Sequence, residues 1–240
     1  HGDHFFGLPG LIATFRLLGR EKPLHIYGPR GIKEAITLLL KLGDSWTNYP
    51  LHFHELTSKG QEVIFDDGSL SVKTLPLDHR IYTNGFLFEL APGERKLRIA
   101  EVEKHGIDRV YYQKIKQGAD GIDREGNHIP NALLTEPLPD PKRYAYCSDT
   151  AYSPELVPLI RGVDTLYHES TFLESESDLA PKTKHSTAGQ AARIALEANV
   201  GRLILGHYST RYKNLELFRA EAQETFPEVE LAEDGKIFEW

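Results

Sequence analysis

The chain has 240 residues, of which 40% are hydrophobic, and a formal net charge of −7 at neutral pH. That composition excludes an intrinsically disordered chain and suffices for one sizeable domain, while the acidic balance excludes global attraction to nucleic acid. No apolar run approaches the ~20 residues that span a bilayer, no signal-peptide pattern opens the chain, and the lone Cys147 excludes an internal disulfide, so a cytoplasmic location is expected.

The first four residues, HGDH, put His1, Asp3 and His4 in one short turn. Residues 8–18 then carry apolar side chains at helical spacing, and 24–27 form a short apolar strand. Gly28-Pro29 punctuates it, and the proline is expected to open an amphipathic helix over 31–42. Residues 51–56 alternate as a strand does. Two more strands are expected at 63–65 and 70–77, joined by an Asp67-Gly68 hairpin turn.

Residues 92–141 break this rhythm, being polar, rich in Gly and Pro and only weakly periodic. Between Arg95 and Lys116 stand seven basic residues against three acidic ones, so a projecting extension is expected here and not a second domain. Regular patterning returns at 144–148, 165–167 and 203–205. Each is a short apolar strand with a polar residue at its C-terminal end: Asp149, His168 and His207. Residues 186–199 read as a helix capped by Ser186 or Thr187, packed through Ala188, Ala191, Ala192 and Ala195, and ended by Gly201. Strands alternating with helices, ligand-type residues at strand ends and no glycine-rich phosphate loop predict an α/β hydrolytic metal enzyme.

The candidate ligands are His1, Asp3, His4, His79, Asp149 and His207. Imidazole and carboxylate donors suit a Zn²⁺ ion kept as an active Lewis acid. Cys147 is expected to be a buried small residue and not a nucleophile. His25, His52, His54, His105 and His128 have no motif partners and are expected at the surface. His52 and His54 share a strand face, but no third ligand accompanies them. The chain holds no methionine, and its ligand set opens at residue 1, which makes a fragment the expectation.

The series HGDHFFGLPGL (1–11), CSDT (147–150), HESTF (168–172), KHSTAGQAA (184–192) and HYSTRY (207–212) resembles ribonuclease Z, the zinc-dependent tRNA 3′-processing endonuclease of the metallo-β-lactamase superfamily. The resemblance runs in order over essentially the whole chain. It implies the four-layer αβ/βα sandwich of the metallo-β-lactamase fold, here lacking the N-terminal strands, as one domain over 1–240 with an inserted arm at about 90–141. It also implies two Zn²⁺ per subunit. One would take His1, His79 and the bridging Asp149, the other Asp3, His4, Asp149 and His207. The family's HxHxDH motif begins here at its second His.

By the same resemblance His185 would protonate the leaving oxygen, with Asp3 assisting the nucleophile. A structural alternative for His185 is a backbone bond at the helix start. Arg211, with Ser209 two residues before it, suits bidentate phosphate binding, for which an ion pair is the competing role. His168 and Glu169 match the family's HEAT motif and are expected to orient ligands or His185. His79 rests on LPLDH (75–79) before GFLFEL (85–90), and Asp78 ranks below it as a ligand. The arm is expected to grip tRNA from one subunit of a homodimer. The departure here is GIDRVYYQKIKQG (106–118), which lacks the Pro-Gly-Pro stretch many members carry.

The leading expectation is therefore an endoribonuclease that removes the 3′ trailer of precursor tRNA, with no membrane partner. The alternatives are a small-molecule phosphodiesterase of the same superfamily and a non-catalytic truncated chain.

Overall fold

A computed structural model describes residues 1–239. The expected domain ends on Trp240, which lies outside the described residues. In chain order the elements are α1 (Leu8–Leu17), β1 (Leu24–Pro29), α2 (Ile32–Leu42), β2 (Leu51–Leu56), β3 (Val63–Asp66), β4 (Leu70–Pro76) and β5 (Asn84–Leu90). They continue with α3 (Ile99–Lys104), α4 (Tyr112–Lys116), β6 (Gly121–Ile122), β7 (His128–Ile129), α5 (Asn131–Leu134) and β8 (Lys142–Cys147). The last are β9 (Thr165–Glu169), α6 (Ala180–Thr183), α7 (Ala188–Glu197), β10 (Arg202–Gly206), α8 (Glu216–Gln223) and β11 (Val229–Leu231).

A mixed seven-stranded sheet runs in the order β11-β10-β9-β8-β5-β4-β3. β8 to β11 pair in parallel, whereas β3, β4, β5 and β8 pair in antiparallel fashion. Consequently β4, β8, β9 and β10 all point their C-terminal ends at one edge. One face packs against α7 and α8 through a core containing Leu166, Leu203, Leu205, Ala191, Ala195 and Phe218. A second sheet, the parallel β1–β2 pair, packs against α1 and α2 through Ile12, Ile26, Ile32, Ile36 and Leu40. The layers are thus helix, sheet, sheet, helix, the metallo-β-lactamase arrangement. A cleft of about 460 Å³ opens between the sheets, lined by Ile26 and Tyr27 of β1, Phe86 of β5 and Tyr146 of β8.

Two helix signals fall in different places from those expected. Pro29 ends β1 and does not open α2. The cap is Gly31, at a φ of 91°, and its N–H donates to the Glu55 carboxylate of β2 at 2.8 Å. A carboxylate at a helix N-terminus is electrostatically favourable, so a strand side chain supplies the cap. At the other end of α7, the left-handed residue is Asn199, at a φ of 51°, and not Gly201. Gly201 is small for another reason: a Cβ there would stand 2.7 Å from the Asp164 carbonyl oxygen. Gly201→Ala is therefore expected to destabilise the fold by about 1–3 kcal/mol, measured as a fall in denaturation midpoint without a change in slope. The N-terminus of α7 follows expectation, with Thr187 and Gln190 forming a reciprocal capping box.

Residues 91–141 are more regular than their composition suggests. α3, α4, α5 and the β6–β7 pair close around a small core of Val102, Ile107, Ile115 and Leu134. Helices of four to six residues carry too few turns for a periodic signal. The segment enters and leaves at one point, because Leu90 at the end of β5 is paired with Lys142 at the start of β8.

Candidate metal centre

The site lies at the common edge where four strands end. β8 delivers Asp149, β9 ends on Glu169 and β10 delivers His207. The loop after β4 brings His79, and the opening HGDH turn brings His1, Asp3 and His4. Asp149 and His207 both take left-handed backbone angles, with φ of 57° and 59°, which turn their side chains out of the strand direction. Non-glycine residues held there are uncommon, and such strain concentrates at functional sites.

Asp149 is the centre of the arrangement. Its buried carboxylate places one oxygen 3.0 Å from His4 Nε2 and 3.8 Å from His79 Nε2, and the other 3.1 Å from His207 Nε2. Three ligand-competent groups emerge among the described residues: His1, His79 and Asp149; Asp3, His4 and His207; and Asp149, Glu169, His185 and His207. Asp78, ranked low as a ligand, is held away by an ion pair to Lys184.

The imidazoles are oriented through their other nitrogens. Nδ1 of His79 donates to the Lys184 carbonyl at 2.9 Å. Nδ1 of His207 meets the Thr171 hydroxyl at 2.9 Å, and that hydroxyl donates to Glu169 at 2.7 Å, so His207 is the donor of the first bond. Nδ1 of His185 donates to Glu169 at 2.7 Å. In all three Nδ1 is committed and Nε2 is left facing the site, which for His79 and His207 is the pattern that fixes metal-ligating histidines. His79 Nε2 and Asp149 Oδ1 are buried without a hydrogen-bond partner. Two orphaned acceptors in a cluster of imidazoles and carboxylates fit a divalent cation well, because a cation satisfies them where a protein donor is missing.

Glu169 is more central than its motif suggests. Fully buried, it accepts from the Thr150 and Ser186 backbone N–H groups at 2.7 and 3.0 Å, from the Thr171 hydroxyl and from His185. With its oxygens so occupied it orients its neighbours and does not need a cation. Burial pushes its pKa up, yet the His185 bond and charge and the other donors outweigh this and hold it below the usual carboxylate range. For His185 burial likewise opposes the charged form, but Glu169 wins and raises its pKa. His168 is buried, donates from Nδ1 to the Glu169 carbonyl at 2.7 Å, and is kept neutral by burial. It joins none of the ligand groups.

The remaining candidates lie at the rim. Arg211 donates to the Ser209 hydroxyl at 3.2 Å, stands 3.6 Å from Glu176 and lies over the Phe172 ring. Both of its anticipated roles, anion contact and ion pair, use the same exposed guanidinium. Cys147 is buried and its thiol is pushed up to about 12 by burial, as a packing residue and not a nucleophile. Sequence reasoning missed Thr171 and Lys184, whose contributions depend on which loops meet in space.

No family model matches the chain. It is 44% identical over 235 residues to the ribonuclease Z of Bacteroides fragilis, covering 98% of this chain and 77% of that protein. The ribonuclease Z of Cytophaga hutchinsonii is also 44% identical, over 240 residues and 76% of its length. This chain belongs to the ribonuclease Z family. Among solved structures it superposes on the short form of human tRNase Z with a TM-score of 0.66 and 25% identity, covering all of this chain and 75% of that one. The metallo-β-lactamase fold protein YhfI of Bacillus subtilis, at 17% identity and a TM-score of 0.63, shows the same fold.

Proposed function

We propose that this chain carries the hydrolytic centre of a tRNA 3′-processing endoribonuclease, cutting the phosphodiester 3′ of the discriminator nucleotide to leave a 3′-hydroxyl on the tRNA. The observation that carries this reading is the convergence of Asp149 with three imidazole Nε2 atoms, in a chain of the ribonuclease Z family. Two Zn²⁺ would be held by His1, His79 and Asp149 and by Asp3, His4, Asp149 and His207. There they would lower the pKa of water and neutralise charge building on the phosphate. His185, kept protonated by Glu169, gives its proton to the departing 3′ oxygen as the P–O bond breaks and water adds its oxygen to phosphorus. Asp3, exposed and 3.6 Å from His4, takes a proton from that water in this reading. Arg211 and Ser209 contact a flanking phosphate.

The test is a 3′-extended precursor tRNA incubated with the protein in its natural full-length context and sized on a denaturing gel. One cut immediately after the discriminator base is expected. Intact RNA beside rapid hydrolysis of a chromogenic phosphodiester would move the assignment to a small-molecule phosphodiesterase.

The arm at about 90–141 is proposed to bind the body of the tRNA through its basic residues, since Lys and Arg contacts to phosphate position nucleic acid without reading sequence. Leu90 and Lys142 are directly paired, so a tight turn can replace the arm without disturbing the sheet. The arm-deleted protein should hydrolyse a chromogenic diester normally, while its KM for precursor tRNA rises on the order of tenfold or more and becomes less salt-dependent. An unchanged KM would remove the arm from the reading.

A homodimer is also proposed, supported by exposed apolar side chains on α1, α2 and the following loop, among them Leu11, Leu17, Leu38, Leu42 and Trp46. Exposed apolar surface marks protein interfaces, and a two-fold interface pairs one surface with itself. No helix among the described residues is long and apolar enough to cross a membrane, and a cytoplasmic location completes the proposal.

A further inference from the structure

His25, His52 and His54 stand apart from the metal centre and take no part in the proposed chemistry. On the sequence alone they had no third partner; the strand register supplies it. β1 and β2 pair in parallel with His25 directly opposite His52, and Tyr27 opposite His54. Because side chains alternate along a strand, His25, His52 and His54 all project from the same face.

The three rings are in contact. His25 and His52 stack with centroids 4.9 Å apart, and His25 and His54 with centroids 5.2 Å apart. Nδ1 of His25 lies 2.9 Å from Nε2 of His54, close to the 3.0 Å that separates the Asp149 and His4 donor atoms in the metal centre. Tyr27 stacks on His54 from the other side, at 4.3 Å, and holds that ring in place. Glu55, the adjacent acid of β2, is engaged elsewhere, capping α2. The donors on this face are therefore imidazoles.

We infer that His25, His52 and His54 form a second metal site, which takes a borderline transition cation and clips β1 to β2. An all-imidazole set selects Zn²⁺, Ni²⁺ or Cu²⁺ over Mg²⁺ and Ca²⁺, which take oxygen donors. His25 Nδ1 and His54 Nε2 share a hydrogen bond, and a cation that takes both nitrogens displaces its proton to solvent. His52 is exposed, and an exposed ring rotates freely, so it turns its nitrogen into the third position. The location has a physical rationale. A cation bound across β1 and β2 stabilises their pairing by mass action.

The experiment compares the wild-type protein with the triple variant His25→Ala, His52→Ala, His54→Ala, none of the three changes touching the catalytic residues. After equilibrium dialysis against Ni²⁺ or Zn²⁺, wild type should retain one more ion per chain than the variant. Added Ni²⁺ should raise the melting temperature of wild type more than that of the variant, while hydrolysis of a chromogenic diester is the same for both. Two readouts do not depend on the triple variant folding. Cu²⁺ added beyond the capacity of the catalytic centre should show nitrogen superhyperfine coupling in its EPR spectrum. The single change His52→Gln should weaken that second binding step by about tenfold or more. Equal metal content with an equal melting response, or an EPR spectrum of oxygen ligation unaffected by His52→Gln, would overturn the site.

Discussion

Asp149→Asn is expected to lose most bound metal and to reduce phosphodiester hydrolysis on the order of 10³-fold or more, the scale on which single charge-stabilising groups act. Asp149 offers an oxygen to His4 and His79 on one side and to His207 on the other, so it is the group shared by both proposed cations. A carboxylate can serve two ions at once; a neutral amide, with one weak oxygen donor and no charge, cannot. Asparagine is also the informative substitution on backbone grounds. The residue sits at a φ of 57°, which Asn tolerates and Ala does not, so the change removes charge without adding strain of about 1–2 kcal/mol. Metal analysis by mass spectrometry and a hydrolysis assay decide the matter. Retention of full metal content and rate in Asp149→Asn would mean that the two ligand groups are held together by something other than this carboxylate.

The strands of the large sheet were readable because each is a short apolar run, and the polar residue closing each run marks where a parallel strand meets the ligand-bearing edge. Asp149 and His207 follow from that logic; at β9 it points to His168, whereas the side chain that reaches the site is Glu169, one residue further on. What could not be read is register. Whether Glu169 touches His185, Thr150 and Thr171 depends on how β8, β9 and the α7 cap meet, residues separated by 16 to 19 positions for the first two pairs. The same limit hid His25 opposite His52, since periodicity reports which face a side chain takes and not what stands across from it. Two punctuation signals misled for a related reason. Pro29 and Gly201 are small-scale markers with several uses, and here tertiary neighbours, Glu55 and the Asp164 carbonyl, decide which use applies. In the arm, helices of one turn packed on four buried residues are too short to imprint a period on sequence.

His185→Ala should lower kcat by ~10²- to 10⁴-fold, the usual contribution of a general acid, with KM and metal content unchanged. His185 reaches the site through an Nε2 left free because Nδ1 is committed to Glu169, and its ring lies 5.2 Å from that of His79 and 5.4 Å from that of His207. Glu169→Gln separates the proton from the scaffold. The carboxylate charge and hydrogen bond are what raise the His185 pKa against the opposing effect of burial. Removing the charge must therefore lower that pKa. A general acid is active while protonated, so the alkaline limb of the kcat profile should move to lower pH in Glu169→Gln and vanish in His185→Ala. The amide also leaves one of the buried donors around it unpaired, at a cost of about 1–3 kcal/mol, so the profile is measured well below the melting temperature of the variant. An alkaline limb that stays in place in both variants would assign the proton to another group and leave His185 as a residue that only lines the site.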